Sequence, residues 1–123
     1  MKPRILPFDA NREYFFVEGC FINELSNTEE DGAVSIAQAR VAPGTTTRWH
    51  RLRDTTERYL VLSGQGQVEV DDVVQTVNPG DCVIIPPLCR QRIANTGNED
   101  LVFLAICSPR FQPECYEDVE DSP

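Results

Sequence analysis

Gly44-Thr45-Thr46-Thr47-Arg48-Trp49-His50-Arg51-Leu52-Arg53-Asp54-Thr55-Thr56-Glu57-Arg58-Tyr59-Leu60-Val61-Leu62-Ser63-Gly64 is the stretch that decides the fold. Five residues separate Gly44 from His50, and one separates His50 from Leu52. Four then lead to Glu57, and six more to Gly64. Pro43 stands before the first glycine. Pro-Gly pairs close tight turns because Pro presets φ and Gly accepts φ > 0. Successive side chains of a strand point to opposite faces. His50 and Leu52 therefore share a face, with Arg48 two residues earlier, while Glu57, Tyr59 and Val61 share a face on the next run.

Fifteen residues beyond Gly64 a second stretch begins at Pro79-Gly80-Asp81. Five residues lead from Gly80 to Pro86-Pro87-Leu88, two more to Gln91, and three more to Asn95. Gln91 and Ile93 are in phase on one strand, and Phe103, Ala105 and Cys107 on another. If these faces turn inward, one imidazole, one carboxylate and one carboxamide converge inside a barrel.

Outward from these stretches, no segment of helix length places apolar residues at i, i+3, i+4 and i+7. Short β-branched or aromatic runs recur instead: Tyr14 to Val17, Cys20 to Leu25, Ala33 to Ala42, Thr45 to His50, Glu57 to Ser63, Gln67 to Val70, Val73 to Val77, Cys82 to Ile85, Arg90 to Ala94 and Leu101 to Cys107. Gly, Pro, Asn and Asp separate them, as in Asp71-Asp72 and Asn95-Thr96-Gly97-Asn98. Strands with turn signals every 8–12 residues predict an all-β sandwich or barrel. There is no internal repeat and no linker to a second domain. The 123 residues suit one domain, able to bury roughly two thirds of the unfolded surface without a disulfide.

Composition narrows the partners. Twenty acids against eleven bases give a net charge of −9. That balance argues against nucleic acid and against anionic membrane surfaces. The longest apolar run, Leu101 to Cys107, is too short for a membrane helix, and Met1-Lys2-Pro3-Arg4 leads into no apolar signal segment. Five widely spaced cysteines form no disulfide pattern, so a cytoplasmic protein with reduced thiols is expected. The charge is uneven. Residues 113–123 carry five acids and no base; removing those five leaves fifteen acids against eleven bases, a net of −4. The expected organisation is a barrel over residues 1–112 and a frayed acidic tail over 113–123. Ten of the bases are Arg; Arg48, Arg51, Arg53, Arg58, Arg90 and Arg92 flank the two stretches, and surface carboxylates are their expected partners.

The two stretches together resemble the motifs of the cupin family. The first family motif reads Gly-x5-His-x-His-x(3,4)-Glu-x6-Gly and the second Gly-x5-Pro-x-Gly-x2-His-x3-Asn. The resemblance covers roughly residues 33 to 107. It implies a cupin jelly-roll β-barrel, a double-stranded β-helix, with a pocket inside. Metal-binding cupins take their ligands from the two His and the Glu of the first motif and the His of the second. Here only His50 and Glu57 match; Leu52 and Gln91 replace the other two, and His50 is the protein's single histidine.

The resemblance therefore leaves three readings. His50, Glu57 and Gln91 hold one divalent transition metal (Fe, Mn, Ni or Zn), as in a dioxygenase, decarboxylase or isomerase of the family. Alternatively, the same groups floor a metal-free pocket for a small organic molecule, lined by Arg48, Leu52, Tyr59, Ile93, Phe103 and Cys107. In the third, His50 and Glu57 form a purely structural buried pair. A nucleotide-sugar epimerase of the same superfamily would use a His–Asp base pair and a bound nucleotide, and the sequence shows no clear second partner for His50. Phe15, Phe16 and Phe21 are expected in the core or at an interface, since small cupins commonly dimerise through such strands, and Trp49 points away from His50.

Overall fold

A computed structural model describes residues 1–121. Eleven strands run through them: β1 (Tyr14–Phe16), β2 (Cys20–Ser26), β3 (Ser35–Val41), β4 (His50–Leu52), β5 (Thr56–Ser63), β6 (Gly66–Val70), β7 (Val73–Val77), β8 (Cys82–Ile85), β9 (Gln91–Asn95), β10 (Leu101–Ser108) and β11 (Tyr116–Asp118). They form two antiparallel sheets, one in the order β1-β2-β3-β10-β5-β8 and the other β11-β4-β9-β6-β7. Among the described residues no helix is long and apolar enough to cross a membrane.

The alternation read from the sequence orders the interior in layers. On β5, Glu57, Tyr59 and Val61 are buried in turn while the residues between them are more open. On β10 their partners in register are Cys107, Ala105 and Phe103. The end holding Val61, Phe103, Val68, Val77, Ile93 and Leu101 is filled with apolar side chains, several wholly buried. The other end carries the polar layer, with Glu57 and Cys107 paired on one sheet and His50 and Gln91 paired on the other. Burial of the apolar end contributes roughly 1.5–3 kcal/mol per large side chain. That gain offsets the cost of keeping polar groups inside.

Two local features place the strands. Gly64 closes the β5–β6 turn at φ 86, and a Cβ there would lie 2.6 Å from the carbonyl oxygen of Asp100. Buried Asn95 satisfies both ends of its amide: Nδ2 donates to the carbonyls of Val41 and Glu99, and Oδ1 accepts from Gly97 N–H. The second-stretch Asn is thus a latch on the β9–β10 turn.

Two expectations are corrected. Thr45 to His50 is not one continuous strand. Thr46 makes an isolated bridge to Ala94, Thr47 Oγ1 accepts from Ile93 N–H, and regular pairing resumes at His50. Nor is the acidic segment frayed over its described part; Ser122 and Pro123 lie outside the described residues. Tyr116–Asp118 pairs with β4, Val119 is buried, and its N–H donates to Trp49 O. Arg48 bonds Asp118 at 2.6 Å, while Arg51 and Arg53 reach Glu117 at 3.3 and 3.1 Å. The tail's acids answer the arginines of β4 and its flanks, which composition alone could not show. Arg90 and Arg92 both lie over the Trp49 ring, at 4.9 and 4.4 Å from its centroid.

Gly64→Ala is expected to cost about 1–3 kcal/mol, measured by denaturant unfolding, because φ and the Asp100 carbonyl both oppose a side chain. Truncation after Gln112 removes the carbonyl of Cys115 that Arg53 N–H bonds. Hydrogen exchange at Arg53 is then expected to accelerate at least about tenfold, while exchange in β6 and β9 stays slow.

Candidate functional site

The polar layer opens into a cavity in which the centre of a water-sized sphere can move through about 50 Å³, the space between the walls and out to open solvent being about 600 Å³. His50 and Leu52 of β4 line it, with Glu57 and Tyr59 of β5 and Phe103 and Cys107 of β10. The structure thus brings together six of the nine residues singled out in the sequence. Gln91 is 1% exposed and sits behind the wall, its Oε1 accepting from the Tyr59 hydroxyl. Two pocket expectations are corrected. Ile93 points inward, but into the filled end of the barrel, where it is fully buried. Arg48 precedes the regular part of β4, so strand phase does not govern it, and its side chain turns out to Asp118.

The cavity's remaining walls come from segments the sequence left without a role. The β1–β2 turn, with Gly19 at φ 100, brings Glu18 over His50, and Arg48 N–H pins that turn through Glu18 O at 2.7 Å. Tyr14 and Phe16 of β1, Glu24 of β2 and Tyr116 of β11 also line the space. No residue type or spacing marks Glu18; it is one acid in a hairpin turn. Tyr116 was hidden in the acidic tail.

His50 is held on three sides. Nδ1 lies 2.7 Å from Arg48 O, Nε2 lies 2.9 Å from Glu18 Oε2, and the Tyr116 ring stacks at 5.3 Å. A carbonyl oxygen only accepts, so Nδ1 carries a proton and donates it. Nε2 then donates to the Glu18 carboxylate as part of an imidazolium. Burial works against this charge. The field and hydrogen bond of Glu18, aided by Glu57 and the Arg48 carbonyl, outweigh it and push the pKa up to about 9. This is the carboxylate partner that the sequence did not reveal.

In Glu57 burial drives the shift instead of opposing it. Burial raises its pKa and Glu18 adds to the rise; His50, Gln91 and Cys107 draw it back, leaving it at about 7. Cys107 Sγ donates to Oε2 at 3.8 Å, while Oε1 makes no hydrogen bond of ordinary geometry within the protein. The hydroxyl of Tyr116 is likewise buried without a partner, and Gln91 Nε2 lies by Glu57 without a hydrogen bond of ordinary geometry. Burial first, then nearby carboxylates, keep Tyr59 and Tyr116 as neutral phenols.

These donors do not fit a transition ion. An imidazole ligates through a ring lone pair, and both His50 nitrogens carry protons held by acceptors. Burial and Glu57 keep Cys107 a thiol, and the Gln91 oxygen is engaged by Tyr59. Leu52 offers nothing to a metal. Among the described residues no three His, Cys, Asp or Glu side chains converge in a metal-holding arrangement. His50, Glu57 and Gln91 thus share a layer without forming a ligand set for Fe, Mn, Ni or Zn.

Two curled antiparallel sheets with a polar layer at one end define a double-stranded β-helix barrel. Residues 37–107 match the Cupin domain family, and the chain belongs to it. An uncharacterised protein of Methanocaldococcus jannaschii is 33% identical over 115 residues, covering 92% of this chain and 90% of that one. The glucose-6-phosphate isomerase of Pyrococcus horikoshii is 32% identical over 95 residues, 63% of this chain. The chain spans about half the length of that isomerase, 48%. The structure of KdgF from Halomonas superposes with a TM-score of 0.80 at 14% identity, over 92% of this chain and 99% of that one, a likeness of fold.

Both raised pKa values make stability fall with pH. Folded Glu57 keeps its proton above the ordinary value of 4.5, so stability is lost as pH rises from there through about 7. Folded His50 holds its proton above 6.5, so its contribution is complete below that pH and lost through about 9. The melting temperature is expected to fall by roughly 5 °C or more between about pH 5 and pH 9. Glu57→Gln should flatten the acid half of the curve, and His50→Gln the alkaline half. A melting temperature rising across this range would contradict both assignments.

Proposed function

We propose that this cupin binds a small organic molecule in its barrel without a metal ion, with Glu57 and the Tyr116 hydroxyl as polar contacts. The observation that carries the reading is the Glu18–His50 pair, 2.9 Å apart, which occupies the ring nitrogen a metal would need. The walls suit such a ligand. Phe16, Ile22, Leu52 and Phe103 offer apolar surface, and a few convergent polar groups fix orientation, the usual make-up of a ligand pocket. Two groups are also poised for proton transfer: an imidazolium fixed by a carboxylate, and a buried carboxyl whose pKa lies near 7. Proton-transfer chemistry on a bound ligand is therefore within the site's means.

A homodimer belongs to the same reading. Phe15 and Val17 are exposed at and just beyond edge strand β1, where a second copy would cover them beside the cavity wall. Sedimentation of the full chain, with Phe15→Ser as the disrupting variant, measures it.

Elemental mass spectrometry tests the metal-free reading on untagged protein, before and after incubation with Fe, Mn, Ni and Zn salts. Well under one ion per chain is expected, unchanged by His50→Ala. Near-stoichiometric metal that His50→Ala abolishes would overturn it in favour of a metal-dependent dioxygenase, decarboxylase or isomerase.

A further inference from the structure

Aromatic rings standing steeply to one another line the cavity. Phe16 is their hub. Its ring makes edge contacts with Tyr14 (6.4 Å, 74°), Phe111 (6.2 Å, 83°) and Tyr116 (5.1 Å, 81°). Each edge contact covers a face of one ring of the pair, and His50 stacks on Tyr116; the ring surface that remains lines the cavity. Aromatic faces carry partial negative charge and attract cations, most strongly where water is excluded.

The charges in the wall have the same preference. Glu18, Glu24 and Glu57 line the cavity, and the one cationic lining group, His50, is already paired with Glu18. Among the described lining residues there is no Lys or Arg. Arg110 comes near by donating to Asn27 Oδ1 at 3.0 Å, but does not itself line the space. A phosphate ester entering here meets carboxylates without a basic partner, although phosphate sites are ordinarily built from Arg, Lys or backbone N–H groups. One further group points to a donor. Glu57, 8% exposed, has a buried oxygen, Oε1, with no hydrogen bond of ordinary geometry; once ionised, which a neighbouring cation favours, that oxygen can only accept.

We propose that the cavity selects a ligand carrying a protonated primary or secondary amine. In this arrangement the ammonium group sits between the rings of Tyr14, Phe16 and Tyr116 and the carboxylates of Glu18 and Glu24, and donates to Glu57. The inference rests on the metal-free pocket and names its ligand class. The sugar phosphates handled by the glucose-6-phosphate isomerases carry the opposite charge.

A matched series of butylammonium, 1-butanol and butyrate, titrated by NMR in chelator, tests it on the full chain. Resonances of Phe16, Glu18, Glu24 and Tyr116 should respond. Butylammonium should bind about tenfold more tightly than butanol, with butyrate weakest. Glu24→Gln, at a partly exposed position, should weaken butylammonium binding far more than butanol binding and so erase most of that preference. Equal binding of butanol and butylammonium, or preference for butyrate or glucose 6-phosphate, would overturn the amine assignment and leave the metal-free pocket standing. Binding of the series only after Zn, Mn, Fe or Ni is added would overturn the pocket reading itself. No response to butylammonium up to ~50 mM, weaker than any specific site, would overturn the amine assignment.

Discussion

A carboxyl group enclosed in the barrel is the constraint around which this end of the molecule is arranged. An ionised carboxylate loses its hydration when buried, and it stays inside only if it is paired or keeps a proton. Glu57 is held by both means. Its pKa is raised towards neutrality, and His50 across the layer carries the positive charge that moderates the rise. His50 in turn is charged because Glu18 bonds it. The three residues come from β5, β4 and the β1–β2 turn, so the charge balance ties the N-terminal hairpin to both sheets. Removing one partner leaves another charge buried and uncompensated.

The C-terminal segment closes the same arrangement from outside. Arg48 fixes His50 through its backbone carbonyl and fixes Asp118 through its guanidinium. β11 is thereby held beside β4, and Tyr116 is laid on the imidazole. Each exposed ion pair alone contributes little, of order 0–1 kcal/mol. Their combined effect is positional: with the β11 backbone bonds and the buried Val119 they keep an aromatic wall over a charged ring. The arginines around the first motif thus serve its architecture, while the polar groups that face the cavity come from other positions.

Leu52 and Gln91 stand where the family's motifs carry histidines, and each has another role here. Leu52 makes part of the apolar wall, and Gln91 ties back to Tyr59. A neutral amide suits this position because it bonds a phenol without adding a second buried charge. Nε2 of His50 bonds Glu18, and the cavity around this pair has acidic and aromatic walls.

Periodicity and turn chemistry made most of the strands legible, because alternation and Gly or Pro placement are local properties. The same local logic located His50, Leu52, Glu57, Tyr59, Phe103 and Cys107, whose inward phase follows from position along a strand. It failed at Arg48, where the chain departs from regular pairing, and at Ile93, where inward means core. Glu18, Glu24 and Tyr116 could not be read at all, since their approach to His50 or its cavity depends on a hairpin turn and on a strand added from the far end of the sequence. The sequence by itself determined an all-β barrel with one imidazole and one carboxylate facing inward, because period-two burial is written residue by residue. Only the tertiary structure decided which charge answers which, because electrostatic pairing depends on distance in space and the partners lie far apart along the chain.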